Sequence, residues 1–217
     1  MQKTTEVSIK VNEGKDKIRG NLTIPTGARG VVLFAHGSGS SRFSPRNQFV
    51  ARELNKVGLA TLLIDLLTPE EEEIDVATAE YRFDIELLAK RLMIATEWLT
   101  TNPETRTMKI GYFGASTGAA AALIAATEHT KQINAIVSRG GRPDLAIEYV
   151  PKVQAPTLFI VGGDDSVVIE LNKKAMKNFP AKSKLEIVPG ATHLFEEEGK
   201  LEIVSKLAAK WLSTYLI

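Results

Sequence analysis

KIGYFGASTGAAAALIAAT (109–127) decides the reading of this chain. A short apolar strand runs into Gly-Ala-Ser-Thr-Gly, and an alanine-rich helix follows at once. The pattern is G-x-S-x-G in a strand–tight turn–helix setting, which lifts a serine hydroxyl out of the edge of a sheet. Gly114 and Gly118 flank the turn, where a Cβ would press on neighbouring backbone. Ser116 then sits at a helix N-terminus, where backbone N–H groups and the helix dipole favour developing negative charge. The plainer reading of the same five residues is a strand–helix turn whose serine merely caps the helix. The rest of the chain has to decide between them.

Outward from this segment, strands alternate with helices. TEVSIKV (5–11) and KIRGNLTIP (17–25), joined by a polar turn, read as an antiparallel hairpin. VVLFAH (31–36), LATLLID (59–65), INAIVS (133–138), APTLFIVGG (155–163) and KLEIVPG (184–190) are continuous apolar runs, the signature of strands covered on both faces. Helical stretches lie around PRNQFVARELNKVG, ending at Gly58, and along Ile85, Leu88, Leu92, Ala95 and Leu99. A last one carries Leu201, Val204, Leu207, Trp211 and Leu212 on one face. The spacing predicts a doubly wound, mostly parallel α/β sheet with an antiparallel N-terminal hairpin, in a single domain over 1–217. Its chemistry belongs in loops past the carboxyl ends of the strands. The polar segment 68–83 is expected to be a surface loop or frayed helix, and its Glu70–Glu73 run a solvated face, not a metal site.

Composition narrows the function. Among 217 residues, 27 Lys and Arg stand against 26 Asp and Glu, a net charge of +1. That balance supplies no field for nucleic acid or an anionic membrane. There is no cysteine, which removes disulfides, Cys-ligated zinc and thiolate nucleophiles. No apolar run approaches the ~18 residues of a membrane span, and MQKTTEVSIKVNEGKDK has no signal-peptide core. A cytoplasmic protein is the expectation. The glycine loops match neither a P-loop nor a dinucleotide fingerprint, and no metal or organic cofactor is called for.

A nucleophilic serine needs a base and the base a carboxylate. The chain has three histidines. His193, in GATHLF, follows the last apolar strand. His36 ends the first parallel strand and is expected to bond within its own loop. His129 falls near the end of the alanine-rich helix, where it complements the helix C-terminus. GGDDSVV (162–168) offers Asp164 and Asp165 at another strand end. HGSGSS (36–41) leaves backbone N–H groups free to face an anion. The candidate oxyanion donors are the N–H of Thr117, after the nucleophile, and that of Ser38. SRGGRPD (138–144) places Arg139 and Arg142 at a strand end, as a substrate rim for an anion or as partners of Asp144 or Glu148. Arg42 and Arg46 carry the same two readings.

From LFAHGSGSSRFSPRN through LLIDLLTPEE, GYFGASTGAAAAL and LFIVGGDDSVV to VPGATHLFEE, the chain resembles the α/β-hydrolase superfamily, and within it the dienelactone-hydrolase-like branch of small hydrolases without a cap domain. The order of nucleophile, acid and base is the superfamily's. The resemblance implies catalytic Ser116, Asp165 and His193, with Gly162 and Val168 of G-x-x-D-x-x-V placing the acid at Asp165 rather than Asp164. Dienelactone hydrolases use a cysteine nucleophile where this chain has Ser116, which points to an ordinary carboxylic ester as substrate. About fifteen residues separate 133–138 from the next strand, too few for a helical lid, so an open cleft suited to short-chain acyl esters is expected. Lactones, thioesters or peptides are alternatives for the same residues, and a non-catalytic binding protein is the alternative of another class. Relatives of this type also occur fused behind a phosphoribosyltransferase-like domain, so a larger fusion is a further expectation.

Overall fold

The computed structural model describes residues 2–217. An eight-stranded sheet runs through it in the order β1-β2-β4-β3-β5-β6-β7-β8. β1 (Gln2–Val11) and β2 (Asp16–Pro25) form the expected hairpin, with Ile9 opposite Ile18. β2 lies antiparallel on β4 (Ala60–Ile64). From there β3 (Gly30–Ala35), β5 (Lys109–Ala115), β6 (Ile133–Arg139), β7 (Thr157–Gly162) and β8 (Ser183–Val188) are all parallel.

The apolar runs are continuous because both sheet faces are covered, and the strand period of two sorts each run between the faces. Val31, Leu33 and Ala35 of β3 join one core, with Leu88, Leu92 and Leu99 of α3 (Ile85–Thr101) and the alanines of α4 (Thr117–Glu128). Val32 and Phe34 join the other, with Val50 and Leu54 of α1 (Pro45–Lys56) and Val204, Leu212 and Leu216 of α6 (Lys200–Leu216). Phe34 stacks on Phe113 of β5, ring centroids 4.8 Å apart. The alanine content of α4 has a packing reason: ten of its residues are buried, and small side chains let it lie close on the sheet.

β3 and β5 are neighbours, yet the helices that follow them, α1 and α4, leave for opposite faces. Such a reversal opens a crevice at the carboxyl ends of the two strands, where ligands bind in open α/β sheets. Here it brings the loop after His36 against the turn carrying Ser116. Between β6 and β7 there are only two short 3₁₀ turns, Pro143–Ala146 and Val150–Lys152, and no lid.

The polar segment 68–83, expected as a surface loop or a frayed helix, contains helix α2 (Pro69–Thr78), with Pro69 in its first turn and a capping box between Thr68 and Glu71. The expectation that its acidic run is a solvated face is corrected. Glu71 Oε1 accepts from the buried Arg91 at 2.5 Å, and buried Asp75 accepts from Arg82 Nε at 2.7 Å. Burial works against the Asp75 charge, but hydrogen bonds from Arg82 and Tyr81 outweigh it and hold the carboxyl below the usual range.

Candidate active site

Ser116 stands between β5 and α4 with φ 51° and ψ −117°, a backbone conformation that L-residues avoid. It is held there on three sides. Its N–H donates to the Arg139 carbonyl at 3.1 Å, and its own carbonyl accepts from Ala119 and Arg142 at 3.1 and 3.2 Å. The glycines act sterically, as the sequence predicts. A Cβ on Gly114 would come within 2.4 Å of Ala119 Cα, and one on Gly118 within 2.4 Å of the Ala35 and His36 carbonyl oxygens.

His193 lies beyond β8 in a loop pinned by Glu197, whose carboxylate accepts from Thr192 Oγ1 at 2.6 Å. Its Nε2 is 3.2 Å from Ser116 Oγ, and its Nδ1 is 2.6 Å from Asp165 Oδ2. A carboxylate only accepts, so Nδ1–H donates to Asp165 and Nε2 is left to accept the serine proton. Asp165 opens α5 (Ser166–Met176) and spends no side-chain bond on capping it. Of the two aspartates open in the sequence, Asp165 is the one turned to the histidine. Asp164 is exposed, and among the described residues only its N–H is engaged, on the Ala191 carbonyl at 3.0 Å.

The loop after β3 packs onto the serine: a Cβ on Gly37 would sit 3.2 Å from Ser116 Cβ. Ser38 lines the resulting cleft of about 150 Å³. Thr117 is the first residue of α4, where helix N–H groups have no intrahelical partner. Among the described residues neither the Ser38 N–H nor the Thr117 N–H has an acceptor. His36 reaches further than its own loop. One ring nitrogen, Nδ1, donates to the Gly37 carbonyl at 2.9 Å, while Nε2 accepts the Leu66 N–H at 3.1 Å, tying the loop to the end of β4. Burial pushes its pKa below the ordinary value, against the opposing effects of the Gly37 bond and Asp65. The same loop is clamped where the Arg42 guanidinium and N–H both meet the Asp65 carboxylate.

The four candidate arginines separate. Arg42 is buried on Asp65 and Glu6. Arg142 forks onto Asp144 at 2.8 and 2.9 Å, the pairing that was the alternative to a rim role, and it is not among the cleft residues. Arg139 and Arg46 do line the cleft, with Asn47, whose buried Oδ1 has no partner among the described residues. No motif singles out Asn47, since an asparagine in the first turn of a helix looks like any capping residue. His129 takes the C-terminal cap of α4.

Among the described residues there is no cluster of three or more His, Cys, Asp or Glu able to hold a metal ion. No described helix is long and apolar enough to cross a membrane.

The comparisons agree with this fold. Two Mycobacterium tuberculosis proteins named as putative phosphoribosyl transferases are 55% identical to this chain over 208 residues, 96% of it but 46% of their own length. The chain thus spans about half the length of these curated relatives. A Bradyrhizobium protein named as a probable 2-oxo-3-(5-oxofuran-2-ylidene)propanoate lactonase is 30% identical over 169 residues, 68% of this chain and 66% of that protein. The crystal structure of a dienelactone hydrolase from Anabaena variabilis superposes with a TM-score of 0.97 at 57% identity, covering 100% of this chain and 99% of that one. A profile of the dienelactone hydrolase family matches residues 18–214. This chain, an α/β hydrolase in fold, belongs to the dienelactone hydrolase family.

Proposed function

We propose that this member of a hydrolase family is a serine hydrolase that cleaves short-chain carboxylic esters through an acyl-enzyme. The observation that carries the reading is the hydrogen-bonded relay from Ser116 Oγ to His193 Nε2, 3.2 Å, and from His193 Nδ1 to Asp165 Oδ2, 2.6 Å. Ser116 Oγ attacks the ester carbonyl carbon while its proton passes to His193 Nε2. The tetrahedral oxyanion lies against the N–H groups of Ser38 and Thr117, each such donor typically worth ~3–4 kcal/mol of barrier. Collapse breaks the bond to the alcohol oxygen, which takes the proton from His193. Water then repeats the sequence on the acyl-enzyme and frees the acid and the serine. His193 must be neutral to begin, so kcat/KM falls on the acid side.

The size of the cleft supports a small substrate. Its volume of about 150 Å³ is below the ~300–1,000 Å³ that encloses drug-sized ligands, and no lid covers it. A lactone is the second reading, favoured by the name of the Bradyrhizobium relative. Hydrolysis of a lactone uses the same steps with the alcohol kept on the acyl group. A cytoplasmic setting and a place as one half of a longer polypeptide, as the length of the M. tuberculosis relatives suggests, belong to the same proposal. Cell fractionation and the length of the native protein test them.

The test is a fluorophosphonate probe together with an acyl-length series of p-nitrophenyl esters, with Ser116→Ala as the blank. Labelling confined to the parent protein and fastest turnover at about two to six acyl carbons are the expected results. Equal labelling of Ser116→Ala, or none of the parent, would favour a binding protein. Faster turnover of lactones, thioesters or peptidyl amides would move the substrate class.

A further inference from the structure

Ser38, the candidate oxyanion donor of the loop after β3, has little beside it to hold it in place. Ser38 and Gly39 are exposed. Among the described residues, the backbone bond within 37–41 is the one from the Ser40 N–H to the Gly37 carbonyl, at 3.2 Å. Where the Ser38 N–H lies must therefore depend on how the two ends of the loop are fastened.

Both ends are fastened to the same place. At the near end, His36 Nε2 accepts the Leu66 N–H at 3.1 Å. At the far end, Asp65 Oδ1 accepts the Arg42 N–H at 2.9 Å, and Oδ2 accepts from the Arg42 guanidinium. Residues 37–41 thus arch between two points that grip consecutive residues just past β4. The main-chain bond is the informative one. A guanidinium on its long stem could reach Asp65 from several backbone positions, whereas the N–H fixes the backbone of residue 42 itself. The N-terminal hairpin backs this clamp: the Asp65 N–H donates to the Arg19 carbonyl of β2 at 2.9 Å, and Arg42 Nη2 to Glu6 Oε2 of β1 at 3.2 Å. The Arg42 side chain is buried and that of Asp65 is 22% exposed, so water competes little for the pair. On its other side the loop packs on Ser116, so slack at the clamp carries Ser38 away from the serine.

We propose that Asp65 and Arg42 are positioning residues for the reaction, whose ion pair and main-chain bond set where the Ser38 N–H meets the oxyanion. The proposal rests on the ester-hydrolase reading and extends it from residues that touch the substrate to a pair beyond them, supported by the hairpin at the edge of the sheet. The oxyanion forms only as the carbonyl carbon becomes tetrahedral, so a misplaced donor weakens the transition state and not the ground state. The signature is a fall in kcat with KM little changed.

Asp65→Asn, Arg42→Met and the double variant test it, on p-nitrophenyl butyrate and with an alkyl trifluoromethyl ketone, whose adduct with Ser116 Oγ is itself a tetrahedral oxyanion. Complete loss of one such donor costs about 10²–10³-fold in kcat, and a displaced donor should cost about 10- to 100-fold. The inhibition constant of the ketone should rise by a similar factor while KM stays near the parent value. The double variant strands neither charge of the pair, and should be no worse than the poorer single variant; thermal melting confirms that it is folded. A merely structural link would lower stability and leave both readouts alone. An unchanged kcat in the folded double variant, or a fall in kcat without loss of ketone affinity, overturns the proposal. If the parent protein neither labels with fluorophosphonate nor turns over any ester, the ester-hydrolase reading fails, and amide resonances judge the clamp alone. Ser38 and Gly39 signals that move in the double variant, while those of Ala121 and Ala122 inside α4 stay, uphold it. Loop signals that stay in place sink it.

Discussion

Replacing Asp165 by asparagine keeps the shape of the relay and removes its charge, and the structure sets how large the loss should be. Asp165 Oδ2 accepts the His193 Nδ1–H at 2.6 Å, while the other carboxylate oxygen meets no protein donor among the described residues. Nothing therefore fixes which way an amide at this position faces. It is free to turn its oxygen toward Nδ1–H, which preserves the tautomer with Nε2 open to Ser116. What is lost is then the charge-assisted part of one hydrogen bond, about 1.5–3 kcal/mol, or roughly 10- to 150-fold at 1.36 kcal/mol per decade. Because the His193 side chain is 36% exposed, water shares in stabilising the imidazolium, and about 10²-fold is the expected fall in kcat. Asp165→Ala loses orientation as well and should fall by about 10³–10⁴. The assay is kcat on p-nitrophenyl butyrate, with Ser116→Ala as blank and thermal melting to confirm folding. A fall in Asp165→Asn as deep as in Asp165→Ala would refute the reasoning, since it would mean the amide is locked with its NH₂ toward the ring.

Two further predictions concern stability. His36 is buried with its pKa below the ordinary 6.5, so near and below that value the unfolded chain binds more protons than the folded one. Stability then rises with pH through this window and is lost on acidification, until the folded value is reached. Urea midpoints from about pH 7 to pH 5 should fall more steeply for the parent than for His36→Gln; superimposed curves would rule the effect out. In α2, Glu71→Gln leaves one acceptor oxygen for two claims, the Thr68 N–H and the guanidinium of Arg91. Gln is tolerated in a capping box, so the loss falls on Arg91, which keeps Asn12. About 2 kcal/mol is expected, below the ~3–5 of a fully broken buried pair. A loss under about 0.5 kcal/mol, the scale of an ordinary surface change, would mean that water enters to replace the carboxylate.

Much of this architecture can be read from the chain because its signals are short-range. A run such as Val31–Ala35 is apolar at every position only if both faces of the strand are covered, and that decides the layer order. Gly114 and Gly118 report crowding by backbone close by in space, and Asp165 and His193 lie in the loops just past two neighbouring strands, so topology brings them near each other. Asp164 against Asp165 is not settled by local pattern without the family's spacing, because both follow the same strand and only the turn into α5 directs one of them inward. α2 is different again. Its start was legible in Thr68-Pro69-Glu70-Glu71, a capping box with proline in the first turn, but the dense charge beyond it argues for solvent. What overrides the charge is distant: Glu71 finds Arg91, twenty residues on.

Arg139 marks the limit of this kind of reading. At the end of an apolar strand, an arginine with a carboxylate waiting for it and one without look alike in sequence, because burial and partnership are properties of the folded cleft. Asp144 stands five residues beyond Arg139 and two beyond Arg142, near enough in the chain to suggest either pairing. The fold gives it to Arg142, through both oxygens. That leaves Arg139 buried without an anion beside the strained Ser116, and a functional cleft is where an unmet charge of this cost is tolerated.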